Sequence, residues 1–245
     1  MTSRVPGSPE APRYALYYAP RPDEGIARAA GRWLGRDAET GQLFGQPIIP
    51  GVSSEQVAKA TASPRRYGFH GTLKAPMALR EDVSEGTFLS AVGDFAASTG
   101  SFAVPRLALV LLDGFLALVP AAACTELHAL ADRCVTEFDA LRLPASDEEL
   151  TRRRSGGLSP RQEALLARWG YPHVLDEWRF HLTLTGRIDD DATSVALAAT
   201  LRLHFEAFIG RPLPVRDVCV FRESAPGQPF VVLSRFRLGG RSTVA

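Results

Sequence analysis

A five-residue pattern that occurs twice constrains the fold of this chain more than any other feature. Residues 69–73 read Phe-His-Gly-Thr-Leu, and residues 180–184 read Phe-His-Leu-Thr-Leu. The chain has only five histidines, and two of them stand in this shared frame. Because each copy needs the same local structure around its histidine, the repeat predicts a duplicated structural unit.

Strand periodicity divides the residues around each pentad between two faces, since side chains two positions apart in a strand share a face. One face of the strand predicted over residues 178–188 carries Arg179, His181, Thr183, Thr185 and Arg187. One face of the strand predicted over residues 66–75 carries Arg66, His70, Thr72 and Lys74. The opposite, apolar faces must pack on helices. Each strand therefore presents a histidine and a threonine, flanked by cations, on its open face.

The predicted elements follow the same order in both halves of the chain. In the first half they are a strand over residues 13–20, a helix over 23–36, a loop over 37–64 with a short helix at 53–61, the strand over 66–75, a helix over 84–98, and strands over 102–111 and 114–119. In the second half they are helices over residues 121–138 and 160–169, the strand over 178–188, a helix over 191–208, and strands over 213–222 and 229–238. Ser159 and Gln162 form a predicted capping box before the second of these helices.

This order predicts an α+β fold that is duplicated and bilobal. Residues 13–120 form the first lobe and residues 121–245 the second, within one compact unit. Two antiparallel sheets are expected to face each other across a central cleft, with helices packed outside. Residues 1–12, rich in proline, serine and glycine, are expected to form a disordered tail.

Composition argues against several classes of protein. The 28 basic and 27 acidic residues nearly balance, so the chain lacks the overall positive field that holds long nucleic acid. No apolar run reaches the roughly 18 residues that a membrane helix needs, and the N-terminus lacks the apolar stretch of a secretory signal. The three cysteines are odd in number and have no Cys-x-x-Cys spacing, which favours a reducing, cytoplasmic setting.

Two imidazoles on facing surfaces suit displacement at a phosphorus atom. One histidine can take a proton from the attacking hydroxyl, while the other protonates the leaving oxygen, because the unperturbed pKa of histidine is about 6.5. Each threonine hydroxyl can donate to a non-bridging phosphate oxygen. Arg66, Lys74 and Arg179 are candidates for charge-assisted contacts to the substrate, and Tyr67 stands near the rim of the cleft.

Zinc catalysis is the main chemical alternative at the two histidines. Zinc sites with an open position usually have three protein ligands. Neither predicted strand offers an acidic residue or a cysteine on its histidine face. We therefore expect no metal and no other cofactor. His128 and His204 lie at the edges of apolar helix stripes, which favours structural roles, and His173 lies in a loop near the second pentad.

The paired motifs resemble the signature of the two-histidine (2H) phosphoesterase superfamily. Its members are duplicated α+β proteins that act on cyclic phosphodiesters, including the 2′,3′-cyclic ends of RNA and small cyclic sugar phosphates. The resemblance implies that His70, Thr72, His181 and Thr183 form the catalytic tetrad.

Further segments resemble one bacterial branch of that superfamily, described as phosphonate-metabolism proteins and associated with carbon–phosphorus lyase genes. These segments read RYALYYAP at 13–20, RRYGFHGTLKAP at 65–76, RWGYP at 168–172 and FHLTLTGRI at 180–188. The resemblance implies ribose 5-phosphate cyclic 1,2-phosphate as the substrate. Its 5-phosphate would need a separate cationic site. The run Arg152-Arg153-Arg154, with Arg153 named as a substrate-binding residue, is a candidate, and the helix N-terminus at Ser159 is another.

Two other functions stay open at this point. One is a phosphodiesterase acting on RNA or nucleotide 2′,3′-cyclic phosphates, and the other is a non-catalytic module that binds a phosphate or nucleotide. The pentads look equivalent, so the sequence does not distinguish the acid from the base, nor does it identify the ester bond that breaks. A duplicated chain can complete its own site, which favours a monomer with a small cyclic phosphate as its partner and no membrane.

Overall fold

The computed structural model describes residues 11–239. Most of the predicted N-terminal tail, residues 1–10, lies outside the described residues, as do residues 240–245. The described chain combines α-helices with antiparallel strands, which confirms the predicted α+β class.

Seven α-helices and nine strands are found in the described part of the chain. The strands are β1 (Arg13–Tyr18), β2 (Gly71–Met77), β3 (Phe102–Val104), β4 (Leu107–Leu112), β5 (Phe115–Pro120), β6 (Leu182–Thr183), β7 (Leu213–Val215), β8 (Asp217–Glu223) and β9 (Val231–Arg237). The helices are α1 (Gly25–Leu34), α2 (Ser54–Tyr67), α3 (Glu85–Ala97), α4 (Thr125–Glu137), α5 (Asp147–Arg154), α6 (Pro160–Trp169) and α7 (Asp191–His204).

One continuous sheet joins the two copies of the pentad. Its seven strands run in the order β4-β5-β6-β2-β1-β8-β9, and β3 pairs with β7 in a small second sheet. The expected pair of facing sheets is thus replaced by a single large sheet whose central joint is β2 against β6. Pairing these strands provides hydrogen-bond partners for backbone N–H and C=O groups that would be unpaired at the edges of two separate sheets. Strands of the two chain halves interleave, since β6 lies between β5 and β2, while β8 pairs with β1.

The strands that carry the pentads are shorter than the sequence pattern predicts. Residues 66 and 67 complete helix α2, which a capping box at Ser53 begins. The chain then turns at Gly68, where φ is 77°, and enters β2 only at Gly71. A φ in this region is accessible mainly to glycine. Each catalytic candidate histidine therefore lies immediately before its strand, where its backbone is not confined to the sheet ladder.

Two helices in the second half show what local sequence signals can and cannot predict. Helix α6 has the predicted capping box and proline at its start, and it ends at Gly170 in the left-handed conformation, so this prediction is confirmed. Helix α5 was not predicted, and it lies between the predicted helices over residues 121–138 and 160–169. Ser146 caps it, acidic residues fill its first turn, and arginines fill its last turn, an order that complements the helix dipole.

A bulge in β2 changes the face on which Lys74 lies. Tyr17 of β1 pairs with Thr72, but its neighbour Leu16 pairs with Lys74, so the register skips Leu73. A bulge interrupts the simple alternation of faces. Lys74 is buried, and its Nζ atom donates to the carbonyl oxygen of Val135 in α4 at 3.0 Å. The prediction that Lys74 faces the substrate is therefore wrong.

Two buried tryptophans tie the pentads to their surroundings. The indole of Trp178 donates to the carbonyl oxygen of Thr72 at 2.9 Å, which links the approach to β6 with β2. The indole of Trp33 in α1 donates to the carbonyl oxygen of Leu184 at 2.8 Å. Each bond satisfies a backbone acceptor of a pentad, so the two pentads are fixed both to one another and to the helical layer.

Close packing at the β2–β6 joint predicts a specific loss of stability in Gly71→Ala. A Cβ atom at position 71 would overlap with the ring of Phe180 from the second pentad. Overpacking typically costs about 1–3 kcal/mol. We expect the variant to unfold at a correspondingly lower urea concentration.

The matched control is Gly45→Ala, since a Cβ atom there meets nothing within 4 Å. This control should unfold close to the wild type. If Gly71→Ala and the wild type had equal urea midpoints of unfolding, the packing of the Phe180 ring would not require the absence of a side chain at position 71.

Candidate active site

The register of β2 against β6 brings the four predicted catalytic side chains onto one face of the sheet. Gly71 pairs with Leu182 in antiparallel orientation. Extending this register by one residue past the start of each strand places His70 opposite Thr183 and Thr72 opposite His181. Residues directly opposite have Cβ atoms about 4.5–5.5 Å apart, and diagonal neighbours are about 7–8 Å apart. The two histidines are diagonal neighbours. Both can therefore reach a single phosphate group placed between them.

The same hydrogen bond orients each of these histidines. The Nδ1 atom of His70 lies 2.9 Å from the carbonyl oxygen of Gly68, and that of His181 lies 2.8 Å from the carbonyl oxygen of Arg179. A carbonyl oxygen can only accept, so in both rings Nδ1 carries the proton. In the neutral ring Nε2 then keeps its lone pair, and Thr72 Oγ1 lies 3.3 Å from Nε2 of His70. Each Nε2 is the atom available for proton transfer.

Aromatic rings enclose His70 and lower its pKa. Tyr17 stacks on the imidazole with ring centroids 3.8 Å apart at an angle of 20°, and Tyr67 and Phe221 lie about 6 Å away. Burial lowers the pKa of His70 to about 4, and nearby His181 adds to the effect, while the Gly68 carbonyl opposes it. His70 is consequently uncharged near neutral pH.

His181 has a different environment. Its ring lies 5.5 Å from that of Phe115. Burial lowers the pKa of His181, and the charges of Arg179 and His173 lower it further, while the Arg179 carbonyl and Asp113 oppose these effects. The two imidazoles therefore share one backbone geometry but differ in what surrounds their rings.

A cavity of about 330 Å³ opens beside His70. Most of its lining consists of three groups, which are the pentad residues His70, Thr72 and Thr183, the tyrosines Tyr17, Tyr67 and Tyr171, and the arginines Arg13, Arg152 and Arg153. Ser63, Pro64, Ala75 and Pro76 complete it. His181 is not part of this lining, although Thr183 is. A pocket of this volume lies at the small end of the range for small-molecule sites.

The predicted substrate-binding residues divide between the cavity and its surroundings. Tyr67 and Arg153 line the cavity. Arg66 instead forms an ion pair with buried Glu223, and its guanidinium lies over the ring of Tyr67. Arg179 pairs with Asp113 at 2.9 Å in an exposed position, and only its carbonyl holds His181.

Sequence reasoning missed Tyr17, Tyr171 and Arg13 as cavity residues, whereas Arg152 belongs to the arginine run that it considered for a phosphate. Tyr17 belongs to β1, a segment that the sequence predicts as a strand but not as part of the site. The one sequence signal available for Tyr17 is the alternation of side chains along a strand. This alternation predicts which face of the strand Tyr17 lies on, but not which strand lies beside it. Tyr17 reaches His70 because β1 pairs with β2 at Thr72. That pairing is a long-range feature with no local signature.

The other three histidines have contacts of their own. His128 packs edge-on against Trp178 at 4.9 Å, and Nε2 of His204 bonds to the carbonyl oxygen of Ala29. These contacts agree with the structural roles expected for both. His173 lies 5.7 Å from the ring of Tyr171, and its charge acts on His181.

Three further findings concern residues 11–239 alone. In that range no group of three or more histidine, cysteine or acidic side chains is placed to hold a metal ion. All three cysteines are buried and free. The helices in the same range are too short or too polar to cross a membrane.

A family model described as "Protein of unknown function (DUF1045)" matches residues 72–231, more than half of the chain. Two curated relatives are both named "Ribose 1,5-bisphosphate phosphokinase PhnN". The one from Janthinobacterium sp. (strain Marseille) is 39% identical over 232 residues, which cover 94% of this chain and 51% of the relative. The one from Laribacter hongkongensis (strain HLHK9) is 35% identical over 221 residues, with coverage of 89% and 50%. The chain thus spans about half the length of these relatives.

Solved structures similar to this chain include TT0787 of Thermus thermophilus, at a TM-score of 0.44 and 17% identity, covering 94% of this chain and 99% of that one. Another is E. coli LigT complexed with 3′-AMP, at a TM-score of 0.43 and 13% identity, with the same coverage.

The enclosure of His70 predicts an unusual titration. We expect its ring to titrate near pH 4, well below the ordinary value of about 6.5, in nitrogen–proton correlation spectra. Tyr17→Ala should raise this pKa by more than one unit, because water then reaches the charged ring. Bound inorganic phosphate should also raise it, since an anion stabilises the imidazolium.

The signal is assigned by its loss in His70→Gln. A wild-type His70 that titrates near pH 6.5, or a Tyr17→Ala variant with an unchanged pKa, would contradict the role given to the tyrosine.

Proposed function

This chain belongs to the DUF1045 family, and we propose that it is a cyclic phosphodiesterase that opens a small cyclic phosphate without a metal ion. The observation that carries the proposal is the register of β2 against β6. It sets two histidines and two threonines on one face, with both Nδ1 atoms held by carbonyl oxygens. Acid–base catalysis on a phosphodiester needs this set of groups, one histidine for each side of the phosphorus atom.

In the proposed reaction the hydroxyls of Thr72 and Thr183 donate to the non-bridging phosphate oxygens. Nε2 of the neutral histidine takes a proton from water as the water oxygen forms a bond to phosphorus. The ring P–O bond breaks, and the departing oxygen receives the proton of the second, protonated histidine. The product is a phosphomonoester with a free hydroxyl. The two histidines return to their starting states by exchanging one proton with solvent.

We assign the base to His70 and the acid to His181. A base must be unprotonated when substrate arrives, and burial under Tyr17 favours that state for His70. The acid must carry a proton. An anionic diester bound between the rings raises the pKa of both, and the imidazole that Tyr17 does not cover is better placed to hold that proton.

We propose ribose 5-phosphate cyclic 1,2-phosphate as the substrate, in phosphonate breakdown. The curated relatives are named for a kinase of ribose 1,5-bisphosphate, and this chain resembles about half of their length. The segments that resemble phosphonate-metabolism proteins support the same setting. The small cavity volume suits a sugar phosphate.

A nucleoside 2′,3′-cyclic phosphate is the second candidate substrate. Tyr17, Tyr67 and Tyr171 line the cavity, and aromatic side chains commonly stack on nucleobases.

We expect His70→Ala and His181→Ala each to lower kcat for cyclic phosphate opening by about 10²–10⁴-fold, since each removes one proton-transfer group. Thr72→Val and Thr183→Val should each cost about 10²–10³-fold if their hydroxyls bind the developing charge. Phosphorus NMR follows both candidate substrates separately and identifies the bond that breaks.

His204→Gln is the matched control, because His204 bonds to Ala29 away from the cavity and glutamine can keep a donor there. Its activity should stay close to that of the wild type. Turnover that survives in His70→Ala and His181→Ala would refute the assigned mechanism.

We expect dialysis against EDTA to leave the rate unchanged, because the histidines supply both proton transfers. The assay is repeated after Mg²⁺, Mn²⁺ or Zn²⁺ is added back. A rate that EDTA abolishes and one of these ions restores would show that catalysis depends on a metal.

A further inference from the structure

The cavity beside His70 has a basic region that the proposed proton transfers do not use. Arg13, Arg152 and Arg153 line it, whereas no carboxylate side chain is part of the lining. Tyr171 belongs to the same region, since Arg153 lies over its ring at 4.8 Å. Such a surface attracts an anion, because arginine stays charged at any physiological pH.

Neighbouring side chains hold the guanidinium of Arg153 in place, but they do not occupy all of its hydrogen-bond donors. Its Nε atom donates to Glu149 one helical turn earlier, at 3.2 Å, and Nη2 donates to the same oxygen. Its Nη1 atom has no hydrogen-bond partner among the described residues. The guanidinium is therefore held between Glu149 and Tyr171 with both N–H groups of Nη1 and one of Nη2 free. Binding of a ligand would thus need little further ordering of this side chain.

The charges in this region do not cancel. Glu223 is fully buried and pairs with both Arg13 and Arg66, which leaves one positive charge of that trio uncompensated. Arg152 has no acidic partner within the described chain, which leaves a second. A phosphomonoester carries a charge of about −1.5 to −2 at pH 7 and so complements this excess. An uncharged nucleobase would not.

Arg154 shows that a position in the arginine run does not by itself bring a side chain to the cavity. Its Nε atom lies 3.1 Å from each carboxylate oxygen of Glu163, and its side chain does not line the cavity. Of the arginine run at 152–154, only the first two members face the space that His70 shares.

We infer that Arg152, Arg153 and Tyr171 form a second anion subsite, which binds a terminal phosphomonoester of the molecule whose cyclic phosphate lies against His70. This inference rests on the proposed function for the position of the reacting phosphate. It assigns the substrate to the small sugar or polyol cyclic phosphates that carry a second phosphate. By this inference nucleoside cyclic phosphates are poorer substrates, because the end of the molecule away from the cyclic phosphate is an uncharged base.

The kinetic test compares a ribose cyclic phosphate with and without its 5-phosphate. The wild type should prefer the phosphorylated form, and Arg153→Met should lower kcat/KM for that form by roughly 10- to 100-fold, the worth of a charge-assisted hydrogen bond. Its kcat/KM for the form without the 5-phosphate should change less than about threefold. Arg154→Met is the control and should match the wild type on both.

Arg152→Met guards against a folding defect, because Arg152 is exposed and its side chain has no described partner to lose. It should show the same selective loss. Equal losses on both substrates, or no wild-type preference for the phosphorylated form, would overturn the subsite while leaving the phosphodiesterase proposal intact.

Binding of ribose 5-phosphate, followed by calorimetry, tests the subsite without catalysis. Arg153→Met should weaken its affinity by roughly 10-fold or more, and Arg154→Met should not. If no cyclic phosphate is hydrolysed but this pattern is found, the proposed function fails and the subsite stands. If the wild type does not bind ribose 5-phosphate, the subsite fails whatever the enzyme hydrolyses.

Discussion

The pairing of Gly71 with Leu182 is the contact on which the rest of the structure depends. It is the joint between β2 and β6, and it converts two distant copies of a pentad into one site. The ring of Phe180 fills the space that a side chain at position 71 would need. The first pentad therefore has glycine where the second has leucine, and the difference reflects packing across the joint. A shift of one residue in this register would turn one His–Thr pair toward the helices.

The proposed proton chemistry depends on a second, smaller repetition. In each pentad the histidine bonds back to the carbonyl oxygen two residues earlier, which fixes the ring and its tautomer without help from any other side chain. In the first copy that carbonyl belongs to Gly68, which adopts a φ of 77°. The second copy uses Arg179 instead. The duplicated geometry thus comes from the backbone, and the asymmetry between the rings comes from Tyr17 on one side and Phe115 on the other.

Local signals in the sequence predicted the α+β class, the His–Thr face and the cap at Ser159, because each depends on residues a few positions apart. Long-range pairing was not readable in this way. The joining of the two expected sheets depends on which strand edges meet, and the stacking of Tyr17 on His70 depends on β1 lying beside β2. Lys74 was misassigned because alternation assumes an unbroken ladder, and the skipped residue in β2 interrupts it. Arg153 was predicted to bind substrate, but only the fold separates it from Arg154.

The low pKa of His70 and the arginines near it answer opposite physical needs. An imidazole that must accept a proton has to be neutral when substrate arrives, and a neutral imidazole attracts an anion only weakly. Binding an anionic substrate therefore requires charges that do not titrate, and arginine provides them at any pH at which the protein is folded. Holding those charges with Glu149 and Glu223 keeps the guanidinium groups oriented while leaving part of their charge free. In the proposed mechanism the enclosed histidine can thus be neutral when substrate arrives, because attraction of the substrate is assigned to other side chains of the same cavity.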